Sequence, residues 1–235
     1  MRELSQQELE LITGGVYTLD TIVVTASPYW GDFGFTDLWH DGFNYEVYDD
    51  YYGDGGGGGG GDEPPAPPAC QSHDPGTIDT YSDQLASQAT RDIKSKPDFN
   101  NREYAVLMYR DSTGVIRSSP TIAGGNSGQS VSIDLQGLGI SAGQIVGMVH
   151  SHPAGVYSTS TAEATINRHP STNDWAAADQ IIAAGADPAV FTHYIIGPDG
   201  TLREYDYSNR STYDPPRTST PNGGTISQSL QPDPC

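Results

Sequence analysis

Basic residues and cysteines are scarce in this chain of 235 residues. It carries 11 Lys and Arg against 30 Asp and Glu, which gives a formal net charge of -19. Because nucleic acids and anionic membrane surfaces are bound through a basic face, this shortage argues against both as partners. Two cysteines, Cys70 and Cys235, are too few for a disulfide framework or a cysteine-rich metal site. Whether the two pair with each other stays open.

Long apolar runs are also missing. No run approaches the roughly 20 residues that a helix needs to span a bilayer, so we expect no transmembrane segment. The length suits one ordinary domain with extensions.

The acidic excess is concentrated in one part of the chain. Residues 16–75 hold eleven acids and no Lys or Arg, and half of all aromatic side chains lie between Val16 and Gly53. Seven glycines and a proline-rich stretch follow, and this composition is typical of a linker. We therefore predict five parts: an N-terminal segment 1–15, an acidic aromatic arm 16–54, a linker 55–75, a folded domain 76–207 and a loose tail 208–235. The arm is either a disordered tail or an interaction segment that orders on a partner.

The first fifteen residues have the pattern of a recognition peptide. Leu4, Leu9 and Ile12 fall near one face of a short helix that ends at Gly14 and Gly15. Interrupted apolar residues do not suit a secretory signal peptide, whereas a short amphipathic helix suits a binding groove. The alternative is an ordinary N-terminal helix capped by glycine.

This segment resembles the double-glycine leader of bacteriocins and microcins. The family pattern is matched at every position, by Leu4, Ser5, Glu8, Leu9, Ile12, Gly14 and Gly15. The resemblance implies export by an ABC transporter whose peptidase domain cuts after Gly15. The mature chain would then start at Val16 and be secreted.

A second pattern points to metal chemistry. The run IVGMVHSHP, residues 145–153, predicts a buried strand that ends in polar residues. Positions i and i+2 of a strand point to the same side, so His150 and His152 can share one metal ion. A catalytic zinc site needs a third protein ligand and an open position for water.

A predicted helix supplies the candidate third ligand. Ser171 is the predicted N-cap, and Asp174 is the predicted third residue of the helix. An apolar helical stripe follows them. Taken alone, these two residues are explained as capping residues only. The His150 and His152 pair favours Asp174 as a ligand as well.

Together these residues resemble the JAB/MPN/JAMM metalloprotease family, whose motif is an upstream Glu, then His-x-His-Pro, then Ser-x-x-Asp. Glu103, which opens a predicted strand, takes the place of the upstream Glu, in the manner of RadC-type members. JAB-like domains of bacterial polymorphic toxins are similar over residues 78–207. The chain departs from the pattern in an inserted stretch, residues 154–169, before the Ser.

The resemblance implies a role for each residue. His150, His152 and Asp174 would bind zinc, and Glu103 would be the general base for a water molecule in the fourth position. Ser171 would donate a hydrogen bond to the oxyanion. Glu163, in the inserted stretch, is a rival base. His169, next to Pro170, could reach the site, but a loop histidine is more often solvent-facing. His193 fits a packed or exposed strand position better than a ligand position.

The expected fold is α/β, with JAB/MPN-type α-β-α layers and a mixed, largely antiparallel sheet, preceded by a disordered arm. Predicted helices cover residues 78–94 and 173–184, and predicted strands cover 103–109, 114–119, 129–134, 144–150, 190–196 and 201–206.

Two functions follow from these expectations. The first is an exported zinc peptidase or isopeptidase that acts as an effector or toxin. It would have a protein or peptide substrate and an immunity protein as partners. The second is a bacteriocin-like secreted binding protein with a non-catalytic JAB domain.

Overall fold

The computed structural model describes residues 21–25, 77–125, 130–155, 167–213 and 221–232. Several predictions lie outside these ranges: the leader with its glycine pair, the linker, most of the arm, Glu163 and both cysteines. Within the described part, no helix has the length and apolar character needed to cross a membrane.

The described residues form a mixed α/β fold. The strands are β1 Thr21–Thr25, β2 Tyr104–Arg110, β3 Ile116–Ser118, β4 Ile122–Ala123, β5 Ser130–Asp134, β6 Ile145–Ser151, β7 Thr192–Ile196, β8 Leu202–Asp206 and β9 Gly224–Thr225. The helices are α1 Ile78–Lys94, α2 Leu135–Leu138, α3 Thr172–Ala183 and α4 Arg210–Tyr213, with 3-10 turns at Ala142–Gln144 and Tyr207–Asn209. The predicted bounds of α1 are confirmed, and those of α3 and the six predicted strands differ by at most two residues at each end.

Seven strands form the main sheet. Its order is β3-β2-β6-β7-β8-β9, and β4 pairs with β2 beside β3. β6 and β7 are parallel, whereas the other described pairs in this sheet are antiparallel. A parallel pair needs a crossover connection, and α3 lies in the one that joins β6 to β7. The prediction of a mixed, largely antiparallel sheet is confirmed.

The main sheet buries both of its faces. Ala105 and Leu107 of β2 belong to one apolar core, and Val106 and Met108 belong to another on the opposite side. Successive strand residues point to opposite faces, so a run that is apolar at every position predicts cover on both sides. Burial of each larger side chain contributes about 1.5–3 kcal/mol.

One helix packs against each of these cores. α1 contributes the stripe Ile78, Ala86, Ala89 and Ile93 to one. α3 contributes Trp175, Ala178 and Ile181 to the other, each fully buried. Side chains three and four residues apart share a helix face, which explains both stripes. The Trp175 stripe seats the first turns of α3 on the core that also contains Met148 of β6.

Strand β1 differs from the predicted arm. Thr21–Thr25 pairs antiparallel with β5 in a separate two-stranded sheet, and it belongs to the same compact unit as the other described residues. Ile22 and Val24 are fully buried in the core that contains Trp175, whereas Val23 is half exposed. The alternating β-branched residues of TIVVT are a strand signal, which the acidic aromatic sequence around them obscured.

The C-terminal segment also differs from the predicted loose tail. β9 pairs with β8, and Ile226 enters the core beneath α1. The Arg91 guanidinium donates to the carbonyl oxygens of Gln228 and Leu230, at 2.6 and 2.9 Å. An arginine on α1 therefore holds a segment that its Ser- and Pro-rich composition did not predict to be ordered.

An acidic cluster of Asp79, Asp83 and Glu204 lies between α1 and β8. One carboxylate oxygen of each lies within 4.8 Å of the others. Burial, reinforced by the charge of Asp83 and other nearby carboxylates, raises the pKa of Glu204 to about 7. Burial likewise raises the pKa of Asp83 to about 6. The folded state therefore holds these protons more tightly than the unfolded state does.

We expect Glu204→Gln to stabilise the protein at pH 8 and to have little effect near pH 4. A raised folded-state pKa gives stability that is complete below the ordinary value of 4.5 and is lost as the pH rises through about 7. Glu204 is only half buried, so solvent screening limits the gain to about 1 kcal/mol. Urea unfolding at both pH values measures it, with pH 4 as the internal control. An equal gain at both would contradict the explanation.

Candidate metal centre

Two histidines lie where β6 ends. β6 is buried along its whole length, and Met148, two residues before His150, packs in the core that contains Trp175. His150 therefore faces α3. The backbone N–H of His152 donates to the carbonyl of Ile196 at 2.9 Å, which continues the sheet by one residue. Both imidazoles consequently project toward the start of α3, as the i and i+2 spacing predicts.

Asp174 of α3 completes a group of three buried side chains. Nε2 of His150 and Nε2 of His152 are 3.1 Å apart. Oδ2 of Asp174 lies 3.4 Å from the first and 3.6 Å from the second. The three side chains are at most 2% exposed. Among the described residues, His150, His152 and Asp174 are a set whose ligand atoms all lie close enough for one ion.

The spacing of these three atoms fits zinc. Zn–N and Zn–O bonds of about 2.0–2.2 Å in a tetrahedron place neighbouring ligand atoms about 3.3 Å apart. The three observed distances, 3.1, 3.4 and 3.6 Å, lie on both sides of this value. Two imidazoles and one carboxylate would occupy three corners of such a tetrahedron and would leave the fourth for a water molecule or a substrate atom.

The start of α3 holds the Asp174 carboxylate in place. Asp174 Oδ2 accepts from the backbone N–H of Ser171 at 2.6 Å, and Ser171 Oγ accepts from the backbone N–H of Asp174 at 3.2 Å. This reciprocal pair is a capping box. Asp174 therefore caps the helix and faces the two histidines with the same oxygen, so the capping explanation and the ligand explanation are compatible.

A hydrogen bond to a backbone carbonyl orients the ring of His152. Nδ1 of His152 donates to the carbonyl oxygen of Asn167 at 2.7 Å. In the neutral ring this leaves the Nε2 lone pair for a metal ion. Nδ1 of His150 and Oδ1 of Asp174 are buried and have no hydrogen-bond partner among the described residues. Buried polar atoms without partners are unusual and call for an explanation.

Burial shifts the pKa of His150, whereas contacts with the two histidines shift that of Asp174. Desolvation lowers the pKa of His150, and the attraction of Asp174 offsets this only in part. Burial on its own would raise the pKa of Asp174, but the His150 charge and the contacts with both histidines bring it well below its usual range. At neutral pH the site therefore contains a neutral His150 and an ionised Asp174, which are the protonation states that bind zinc.

Glu103 lies at the open end of β2 and is fully buried. Ala105 pairs with His150, so continuing the antiparallel register by two residues brings Glu103 opposite His152 on the same face. The backbone N–H of Tyr104 donates to Ser151 Oγ at 3.0 Å, which ties the start of β2 to the end of β6. The register therefore brings Glu103 to the same edge of the sheet as the histidine pair.

Gly124 gives room for this arrangement. Its N–H donates to the carbonyl of Glu103 at 2.7 Å. A Cβ atom at this position would lie 2.9 Å from the same oxygen and 2.5 Å from the carbonyl oxygen of Ser130. Any larger residue at position 124 would therefore displace the strand end that carries Glu103.

The prediction that His169 faces solvent is wrong. His169 is 1% exposed, and neither of its ring nitrogens has a hydrogen-bond partner among the described residues. Burial, together with the charges of Arg203 and Arg168, lowers its pKa to about 4. A single loop histidine before a proline gives no sequence signal for such burial, because the cover comes from residues distant in the chain such as Tyr205.

Of the two positions expected for His193, packed or exposed, the structure shows the packed one, and the residue also contacts the site. It is fully buried, and its Nε2 donates to the backbone carbonyl of Asp174 at 3.1 Å. Burial and the neighbouring His150 lower the pKa of His193 to about 3. The sequence signal was weak, since His193 sits in an ordinary alternating strand.

Comparison with family models, with curated proteins and with solved structures finds no match to this chain.

Proposed function

We propose that the described domain is a zinc-dependent peptidase or isopeptidase of the JAB/MPN/JAMM type. One observation carries the proposal: Nε2 of His150, Nε2 of His152 and Oδ2 of Asp174 converge at 3.1, 3.4 and 3.6 Å. These residues also match the second and third parts of the family motif. A mixed, largely antiparallel sheet with a helix on each face is compatible with the α-β-α layers of that family.

His150, His152 and Asp174 would hold the zinc ion. When bound, zinc supplies a Lewis acid and lowers the pKa of a coordinated water toward neutrality. The donor set suits this metal, since neutral imidazoles and a carboxylate are common zinc ligands. The carbonyl of Asn167 orients His152 through Nδ1, and Ser171 orients Asp174 through the capping box.

Glu103 and Ser171 supply the acid-base chemistry and the oxyanion contact. Glu103, which is fully buried at the start of β2, takes a proton from the attacking water and delivers it to the leaving amine. The backbone N–H of Asp174 donates to Ser171 Oγ, which fixes the hydroxyl oxygen at the start of α3. The Ser171 hydroxyl donates a hydrogen bond to the oxyanion that develops on the amide carbonyl.

The biological setting follows from the N-terminal segment. The match of residues 1–15 to a double-glycine leader supports export through an ABC transporter that cuts after Gly15. A peptidase exported in this way would act outside the producing cell, as an effector or toxin against a protein or peptide of other cells. An immunity protein would protect the producer.

The test combines metal analysis with the identification of cleaved proteins. We expect about one zinc per chain in the purified protein and new protein N-termini in target-cell lysate treated with the wild type. Lysate treated with Glu103→Gln should lack them. A stable, metal-free wild type that gains no zinc on titration would refute the proposal. Zinc-loaded wild type that produces no new termini would instead favour the secreted binding protein.

A further inference from the structure

The contact between His193 and the start of α3 lies just outside the three candidate ligands. Nε2 of His193 is 3.1 Å from the backbone carbonyl oxygen of Asp174. A carbonyl oxygen can only accept, so Nε2 carries the proton and donates. Asp174 lies in the first turn of α3, because Ser171 is the N-cap. The bond thus runs from β7 to the helical turn that carries the candidate ligand.

Three aromatic rings hold the His193 imidazole in one orientation. The rings of Trp175 and Phe191 meet it edge to face, with centroids 5.1 and 5.3 Å away at 84° and 90°. The ring of His150 lies 5.8 Å away at 75°. Rotation of the His193 ring would disturb all three contacts. These contacts therefore keep Nε2 directed at the Asp174 carbonyl.

Packing alone does not account for a histidine at this position. His193 is fully buried, and its Nδ1 has no hydrogen-bond partner among the described residues. Burying an unsatisfied ring nitrogen costs stability, whereas a phenylalanine would fill a similar space without that cost. The hydrogen bond from Nε2 is what an apolar ring cannot supply.

We infer that His193 is a positioning residue for the metal centre: its hydrogen bond holds the first turn of α3 so that the Asp174 carboxylate stays within reach of both His150 and His152. The inference rests on the proposed zinc site. The capping box at Ser171 orients the Asp174 side chain from the N-terminal side, and His193 holds the backbone of the same residue from the sheet. Removing the second constraint loosens the ligand without removing it.

The experiment compares three variants by their zinc dissociation constants, measured in competition with a chromophoric chelator. His193→Phe keeps a ring and loses the donor, and we expect zinc to bind 10–100-fold more weakly, as for other residues that orient ligands. His193→Gln keeps a donor and should bind zinc within about threefold of the wild type. Ile181→Val trims the same core farther along α3 than Asp174 and should leave the affinity unchanged.

Melting temperatures in EDTA separate this role from a general loss of stability. If His193→Phe does not fold, His193→Met takes its place, because its flexible side chain fills an irregular space without a donor. Unchanged affinity in the donor-free variant, or equal weakening in Ile181→Val, would overturn the inference while the zinc site stands. Failure of the wild type itself to bind zinc would overturn both.

Discussion

Replacing Glu103 by glutamine is expected to lower hydrolysis about 1,000-fold while zinc stays bound. General base catalysis contributes about 100–10,000-fold, and an amide of the same size cannot accept the proton. Glu103 is fully buried, yet it lies outside the set of three candidate ligands, so its substitution should leave the metal content unchanged. Cleavage rates on a substrate found through new N-termini, with zinc measured on the same samples, give the result.

Glu163→Gln is the matched control for this prediction. It makes the same change at the rival glutamate, which lies outside the described residues, and we expect full activity. If Glu163→Gln loses activity and Glu103→Gln retains it, the base has been assigned to the wrong residue. If both variants retain activity, neither glutamate is the base, and the catalytic role that the motif implies for Glu103 is wrong.

Removing zinc is expected to lower the melting temperature of the wild type by about 10 °C. A ligand at 1,000 times its dissociation constant stabilises the folded state by about 4 kcal/mol, and 1 kcal/mol corresponds to roughly 2–4 °C for a chain of this size. Asp174→Asn should lose most of this response, because the neutral amide is a poor ligand. The amide oxygen can still accept from the Ser171 N–H, so the helix start is preserved.

Calorimetry with added zinc and with EDTA measures this difference. Asp134→Asn is the control, since it makes the same change at the start of another helix, where Asp134 accepts from the Gly137 N–H at 2.9 Å. It should keep the full shift between zinc and EDTA. A full shift in Asp174→Asn would show that this carboxylate is not a ligand. The absence of any shift in the wild type would remove the case for a stabilising zinc site.

Most of the main sheet and both long helices follow from local patterns in the sequence. The apolar stripe of α1 and the cap of α3 are each contained within one element. Burial of one face gives the stripe a period that the sequence alone reveals. His150 and His152 belong to the same class, because two residues on one strand are placed side by side by strand geometry. The prediction that they share a site with Asp174 came from a motif resemblance and not from any local pattern.

Other features depend on contacts between distant parts of the chain. Strand β1 is separated from its partner β5 by more than one hundred residues, and only the pairing makes TIVVT a core strand. The same holds for the segment after residue 221, which the Arg91 guanidinium holds in place. Contacts that close loops over such distances leave no periodic signal in the sequence. Composition therefore led to the prediction of an arm at residues 16–54 and a loose tail at residues 208–235.

The sequence by itself determined which ligand atoms are available and which elements carry them: two imidazoles on one strand and a carboxylate in the first turn of one helix. The tertiary structure alone decided that these atoms converge to within 3.6 Å, that Glu103 is buried at the same edge of the sheet and that His193 contacts the backbone of Asp174. The physical reason is that strand and helix periodicity is a property of neighbouring residues. Convergence instead requires two packed faces of a sheet and the crossover through α3, which depend on burial across the whole domain.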